Sequence, residues 1–152
     1  MMLRSLALCL LMLTSACASV QMATPAEDRL GKSFAPPPPD KGALYLYREG
    51  LMGALVPLDV VVQTPGGGLD VTLAPDTWVR LEGDPGPLEI RCAKDQNVGQ
   101  RLDVRPGETR YVEVAYRMAL WGTTCGVHEV SQQEGQAAVA KGRRAVAGSG
   151  AR

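Results

Sequence analysis

Leu58-Asp59-Val60-Val61-Val62-Gln63, then Thr64-Pro65-Gly66-Gly67-Gly68, then Leu69-Asp70-Val71-Thr72-Leu73: this stretch decides the fold class. In its first run Leu58, Val60 and Val62 share one face at a period of two, and β-branched residues dominate. The Pro-Gly-rich centre breaks the chain, and the last run can return as a partner strand. The same grammar extends in both directions. Ala43-Leu44-Tyr45-Leu46-Tyr47 alternates aliphatic and aromatic residues, and Asp76 to Leu81 carries Val79 and Leu81 in phase. After the turn Asp84-Pro85-Gly86-Pro87, Leu88, Ile90 and Cys92 share a face. Val98 to Val104 follows with Leu102 and Val104 inward. Beyond Arg105-Pro106-Gly107-Glu108, Thr109 to Arg117 offers Val112, Val114 and Tyr116, and a last strand spans about Thr123 to Val130. Turn signals roughly every ten residues predict an all-β, mainly antiparallel β-sandwich.

One helix is expected at the end. Ser131-Gln132-Gln133-Glu134 matches the capping box, in which the hydroxyl and the carboxylate each satisfy an unpaired amide. Ala137 to Ala140 follow and Gly142 can end it, so the reading is a short C-terminal helix. Gly135 weakens it by about 1 kcal/mol relative to alanine.

The first residues read as a sorting signal. Arg4 gives a positive start, Leu6 to Leu13 is apolar, and Thr14-Ser15-Ala16-Cys17 follows. The apolar run falls well short of the ~20 residues that span a bilayer as a helix. Leu13-Thr14-Ser15-Ala16-Cys17 resembles the lipobox of bacterial lipoproteins. That resemblance implies cleavage before Cys17, a diacylglyceryl group on its thiol and acylation of the new amine. Ala18, rather than an aspartate, after the cysteine implies sorting to the outer membrane, facing the periplasm. An ordinary signal peptide cut near Ala18 is the alternative.

Four segments follow from this: a lipoprotein signal peptide at 1–16, a lipidated Cys17 with a Pro-rich tether at 17–40, a domain at 41–141, and a basic flexible tail at 142–152. Residues 18–40 lack apolar periodicity, and Pro36 to Pro39 favours a stiff polyproline spacer. The whole chain has 16 basic and 16 acidic residues, but that balance is an average. Between residues 17 and 140 there are 11 basic against 16 acidic residues, so the tether and domain are mildly acidic. No basic excess exists to displace phosphate counterions, and nucleic acid is not an expected partner.

Gly42-Ala43-Leu44-Tyr45-Leu46-Tyr47-Arg48 resembles the opening strand of the domain of unknown function family numbered 2846, found in small bacterial lipoproteins. Pro85-Gly86-Pro87-Leu88-Glu89-Ile90 and Pro106-Gly107-Glu108-Thr109-Arg110-Tyr111-Val112 are similar to its two Pro-Gly turns. The resemblance covers about residues 41–140 and implies a small sandwich of PEGA or transthyretin-like appearance. It implies no activity and no catalytic residues.

Cys9 leaves with the signal and Cys17 is spent on lipid, which leaves Cys92 and Cys125 in an exported protein. Both fall on inward phases, so a disulfide between them is expected, two buried thiols being the alternative. Cys125 and His128 lie three apart and so face opposite sides of a strand; with a single histidine in the chain, no metal or cofactor is expected. His128 reads as a solvent-facing strand residue. No nucleophile elbow surrounds a serine, Gly66-Gly67-Gly68 lacks the rest of a phosphate loop, and Glu82 with Asp84 sits at a turn. Tyr45, Tyr47, Trp78 and Trp121 are candidates for a binding patch, although with seven aromatics in all some must be core. The expectation is a non-enzymatic, membrane-anchored envelope lipoprotein that binds an envelope protein or glycan. The alternative is an envelope-polymer hydrolase using carboxylates.

Overall fold

The computed structural model describes residues 20–50 and 56–148. The proposed signal, Cys9 and Cys17 lie outside the described residues. Two sheets pack face to face. A four-stranded antiparallel sheet runs β3 (Gly67–Leu73), β2 (Leu58–Thr64), β5 (Gly86–Cys92), β6 (Asp95–Val104). A five-stranded sheet runs β8 (Gly122–Val130), β7 (Thr109–Ala119), β1 (Gly42–Arg48), β4 (Thr77–Gly83), β9 (Arg143–Arg144). In the latter β1 runs parallel to β7 and β9 parallel to β4, and the other pairs are antiparallel. The all-β sandwich is therefore present, with the short helix α2 (Gln132–Lys141) after its last long strand.

The opening stretch folds as its pattern dictates. β2 and β3 pair from Leu58 opposite Leu73 to Thr64 opposite Gly67. Leu58, Val60 and Val62 are buried alternately with exposed or half-buried neighbours. They meet Leu44, Leu46 and Val79 from the facing sheet in one aliphatic core. Burial of each such side chain contributes roughly 1.5–3 kcal/mol.

β1 is different, because all seven of its residues are buried. Its aliphatic face looks into the sandwich; Tyr45 and Tyr47 look outward, into a second cluster with Trp78, Tyr111, Ala138 and Val139. Two helices cover that face. α2 begins at Ser131, whose hydroxyl accepts from the Glu134 amide while the Glu134 carboxylate accepts from Ser131 N–H at 3.0 Å. Gly142 ends it, its amide donating to the carbonyls of Ala138 and Val139.

The second helix, α1 (Pro25–Gly31), falls within residues expected to form a tether. Thr24 and Glu27 make another reciprocal capping box, and Pro25 stands at the first helical turn, where its missing N–H costs nothing. Tyr45 Oη donates to the Gly31 carbonyl at 2.8 Å, and the Trp78 ring lies where a Gly31 side chain would be. The proline run continues along the same face with Pro37 buried, and Arg80 donates to the Ala35 carbonyl. Residues 20–40 are thus part of the folded unit, because the exposed aromatic face of β1 and β4 gives them somewhere to pack.

The tail reading changes in the same way. β9 extends the sheet beyond β4, Ala145 is buried, and the Ala145 amide donates to the Trp78 carbonyl. Met22 bridges Ala145, and Ala23 donates to the Arg144 carbonyl. The two ends of the described chain are sewn together along one sheet edge. Backbone donors and acceptors that an edge strand would leave open are satisfied there.

Candidate functional site

The register fixes which residues gather at each end of the sandwich. β7 extends past the end of β1 into the β7–β8 hairpin, and Ala119 opposite Gly122 closes it. At its tip Met118, Leu120 and Trp121 are 73, 96 and 98% exposed. Three large apolar side chains left in water at one convex point are unlike the rest of the described surface, where Leu30 is the other strongly exposed one.

Beneath this hairpin lies a cleft of about 480 Å³ lined by Val56, Asp59, Lys94, Asp95, Tyr116 and Thr124, among others. Its floor is the bond joining Cys92 on β5 to Cys125 on β8, so the expected disulfide is formed and ties the two sheets together. Asp59 accepts from the Thr72 hydroxyl at 2.7 Å, and Asp95 accepts from the Asn97 amide at 3.2 Å. Arg48, buried at the end of β1, donates to the carbonyls of Val56 and Leu73 and stacks over the Tyr116 ring. It fastens the start of β2 to the five-stranded sheet.

The expected aromatic patch does not assemble. Tyr45, Tyr47 and Trp78 are 0, 5 and 0% exposed and belong to the core under the helices, whereas Trp121 is exposed at the hairpin tip, far from those three rings in the fold. Tyr45 stacks on Tyr111 with ring centroids 5.1 Å apart, so these rings recognise one another rather than a ligand. Burial raises the hydroxyl pKa of Tyr45, Tyr47 and Tyr111, that of Tyr47 to about 12, with nearby Glu113 and Glu49 adding to it. Sequence phase cannot separate a covered aromatic face from an open one, since α1 and α2 arrive from elsewhere in the chain.

His128 is exposed on β8, opposite Glu113, as its phase predicts. Among the described residues no group of three or more His, Cys, Asp or Glu is placed to hold a metal. The turn acids are occupied: Glu82 pairs with Arg80 and Asp84 with Lys41, at 3.1 and 2.7 Å. The Lys41 hydrogen bond and charge hold the Asp84 carboxyl below the ordinary carboxylate range. No described helix is long and apolar enough to cross a membrane.

No family model matches the chain. It is 25% identical over 136 residues to an uncharacterized protein of Haemophilus influenzae, an alignment covering 89% of this chain and 79% of that protein. The alignment is long enough to span most of the sandwich, and that relative carries no assigned activity in its name.

Met118 and Leu120 were not among the residues singled out from sequence. The signal was present: Met118-Ala119-Leu120-Trp121 is an uncharged apolar run where a hairpin turn should be polar.

Proposed function

We propose that this chain is a lipid-anchored envelope protein, held at the outer membrane through Cys17, whose sandwich is a non-enzymatic module that docks a partner protein on the β7–β8 hairpin tip. The exposure of Met118, Leu120 and Trp121 is the observation that carries the docking. Such side chains contribute nothing to the fold while in water, whereas Trp is enriched among the few residues that carry most interface binding energy and Met is enriched at interfaces. Aliphatic Met and Leu beside the indole favour an apolar protein groove over a sugar ring. The anchor rests on the sequence Leu13 to Cys17 after its apolar run. Membership of the family numbered 2846 belongs to the same proposal and rests on the strand and turn motifs already quoted.

The geometry is consistent with the two roles sharing one molecule. β9 runs away from the hairpin end, and residues 20–23 run antiparallel to it, so Val20 lies at the opposite end from Trp121. An anchor three residues before Val20 would leave the tip pointing away from the membrane.

The test is chemical crosslinking in intact envelopes with wild type, Leu120→Asp and Trp121→Asp. A partner captured by wild type and lost in both variants, with unchanged melting temperature, is the expected result. Equal capture by all three overturns the docking. Cys17→Ala should release a soluble or unprocessed product, and a mature product still on the membrane overturns the anchor. The hydrolase alternative would use Asp59 and Asp95 beside the disulfide cleft. Each already serves a local hydrogen bond, and Asp59 is exposed, which argues against it.

A further inference from the structure

The end of the sandwich opposite the hairpin is open. Between the β2–β3 turn and the β4–β5 turn lies a cleft of about 330 Å³, within the usual range of roughly 300–1,000 Å³ for small-molecule sites. Its walls are aliphatic: Leu44, Val62 and Val104 at the bottom are buried, and Leu81 and Leu88 are half-buried above them. Leu69 at the side is 38% exposed. No aromatic ring lines it, so it offers nothing to stack on a planar ligand. A flexible alkyl chain is the shape that such walls fit.

The mouth narrows the choice. Glu82 and Asp84 stand there, and Lys41 beside them is paired with Asp84. None of the described residues that line the cleft is a lysine or arginine, so the lining itself offers no partner for a free fatty acid's carboxylate. An acyl chain joined through a neutral ester or amide fits better.

The chain's own course supplies such a group. Val146 donates to the Gln21 carbonyl, which places Val20 beside Ala147, and both pack against the main core. The next residue, Gly148, lies beside Leu69, a wall of the cleft: a Cβ built on it would meet Leu69 Cδ1 at 3.9 Å. Cys17 precedes Val20 by three residues, a span of at most about 10 Å of extended chain. The length of chain outside the described residues, and the place where it begins, therefore set a lipid on Cys17 within reach of the cleft.

We propose that the end cleft takes one acyl chain of the lipid on Cys17, the others remaining in the bilayer. This rests on the lipid anchor proposed above. Two chains in the membrane still hold stably, and the third seats the domain with its open end against the membrane surface.

The test uses full-length protein made in cells fed an alkyl fatty acid carrying a diazirine. Irradiation of intact cells is followed by peptide mapping of the purified protein. The expected result is label on the Cys17 peptide with crosslinks to the segments containing Leu69, Leu81 and Leu88. Leu88→Trp, which fills the cleft, should lose those crosslinks while keeping label on Cys17. Label on Cys17 with crosslinks to phospholipid alone overturns the cleft proposal and leaves the anchor standing. Undiminished crosslinking in Leu88→Trp also overturns it. Absence of any label on the protein overturns the anchor and, with it, this proposal.

Discussion

Replacing Gly135 by alanine sets two effects of known size against each other. Helix propensity favours the change, since alanine is about 1 kcal/mol better than glycine inside a helix. Packing opposes it. Gly135 is buried where α2 crosses β7, and a Cβ built on it overlaps Cβ, Cγ and Cδ1 of Tyr111. Carbon atoms rest ~3.5–4.0 Å apart, so the helix would have to retreat by about 1 Å. Tyr111 cannot swing aside, because Cβ is fixed by its strand and the ring is stacked on Tyr45. Retreat would loosen Ala138 and Val139 as well, both buried on the same face. Overpacking of this kind costs about 1–3 kcal/mol, and overlap with three atoms places it at the upper end. The net expectation is a loss of about 2 kcal/mol, or about 6–10 °C in melting temperature for a domain of this size. Urea unfolding followed by far-UV circular dichroism measures it. Gln133→Ala, on the exposed face of α2, is the control and should stay within about 0.5 kcal/mol. A Gly135→Ala protein as stable as wild type, or more so, would refute the close crossing of α2 over Tyr111.

Other expectations follow from single features. Reducing the bond between Cys92 and Cys125, separated by 33 in sequence, should cost about 4 kcal/mol in the chain-entropy model, read as a drop in urea midpoint under reductant. An unchanged midpoint would mean that the bridge does not constrain the unfolded chain. Tyr47 is held neutral by burial, so the folded state keeps its proton above the ordinary tyrosine value of 10. Stability should therefore be full below pH 10 and fall as pH rises towards about 12, with tyrosinate absorbance appearing together with unfolding. Ser131→Ala removes the acceptor for the Glu134 amide and should cost about 1 kcal/mol in the same urea assay, whereas Ser131→Asp should restore most of it. Trp121→Ala, at 98% exposure, should leave the melting temperature unchanged, and a large fall would show that the tip is packed in solution.

The strands and α2 were legible because their cues are local. Leu58, Val60 and Val62 alternate within seven residues, and Ser131 and Glu134 cap within one turn. α1 carried an equally local cue in Thr24, Pro25 and Glu27, outweighed by the proline run that follows it. β9 had none: two arginines pair with Thr77 and Trp78 only because distant segments bring them there. The same holds for the site. Trp121 at a turn reads as exposed, but the covering of Tyr45, Tyr47 and Trp78 depends on residues 24–37 and 131–142, which no periodicity in β1 or β4 reveals.

The pairing of residues 21–23 with 144–146 also has a consequence in time. It is among the longest-range contacts in the chain, with the Asp28 carboxylate accepting from the Arg144 amide across 116 residues. Contacts of that separation are slow to form and need both ends present. While the chain is still being made, β4 has no neighbour on that side and the Trp78 face lacks Arg144. Residues 143–146 close the edge, so a chain cut short near residue 140 would keep most of its strands yet leave β4 open to pairing with another molecule.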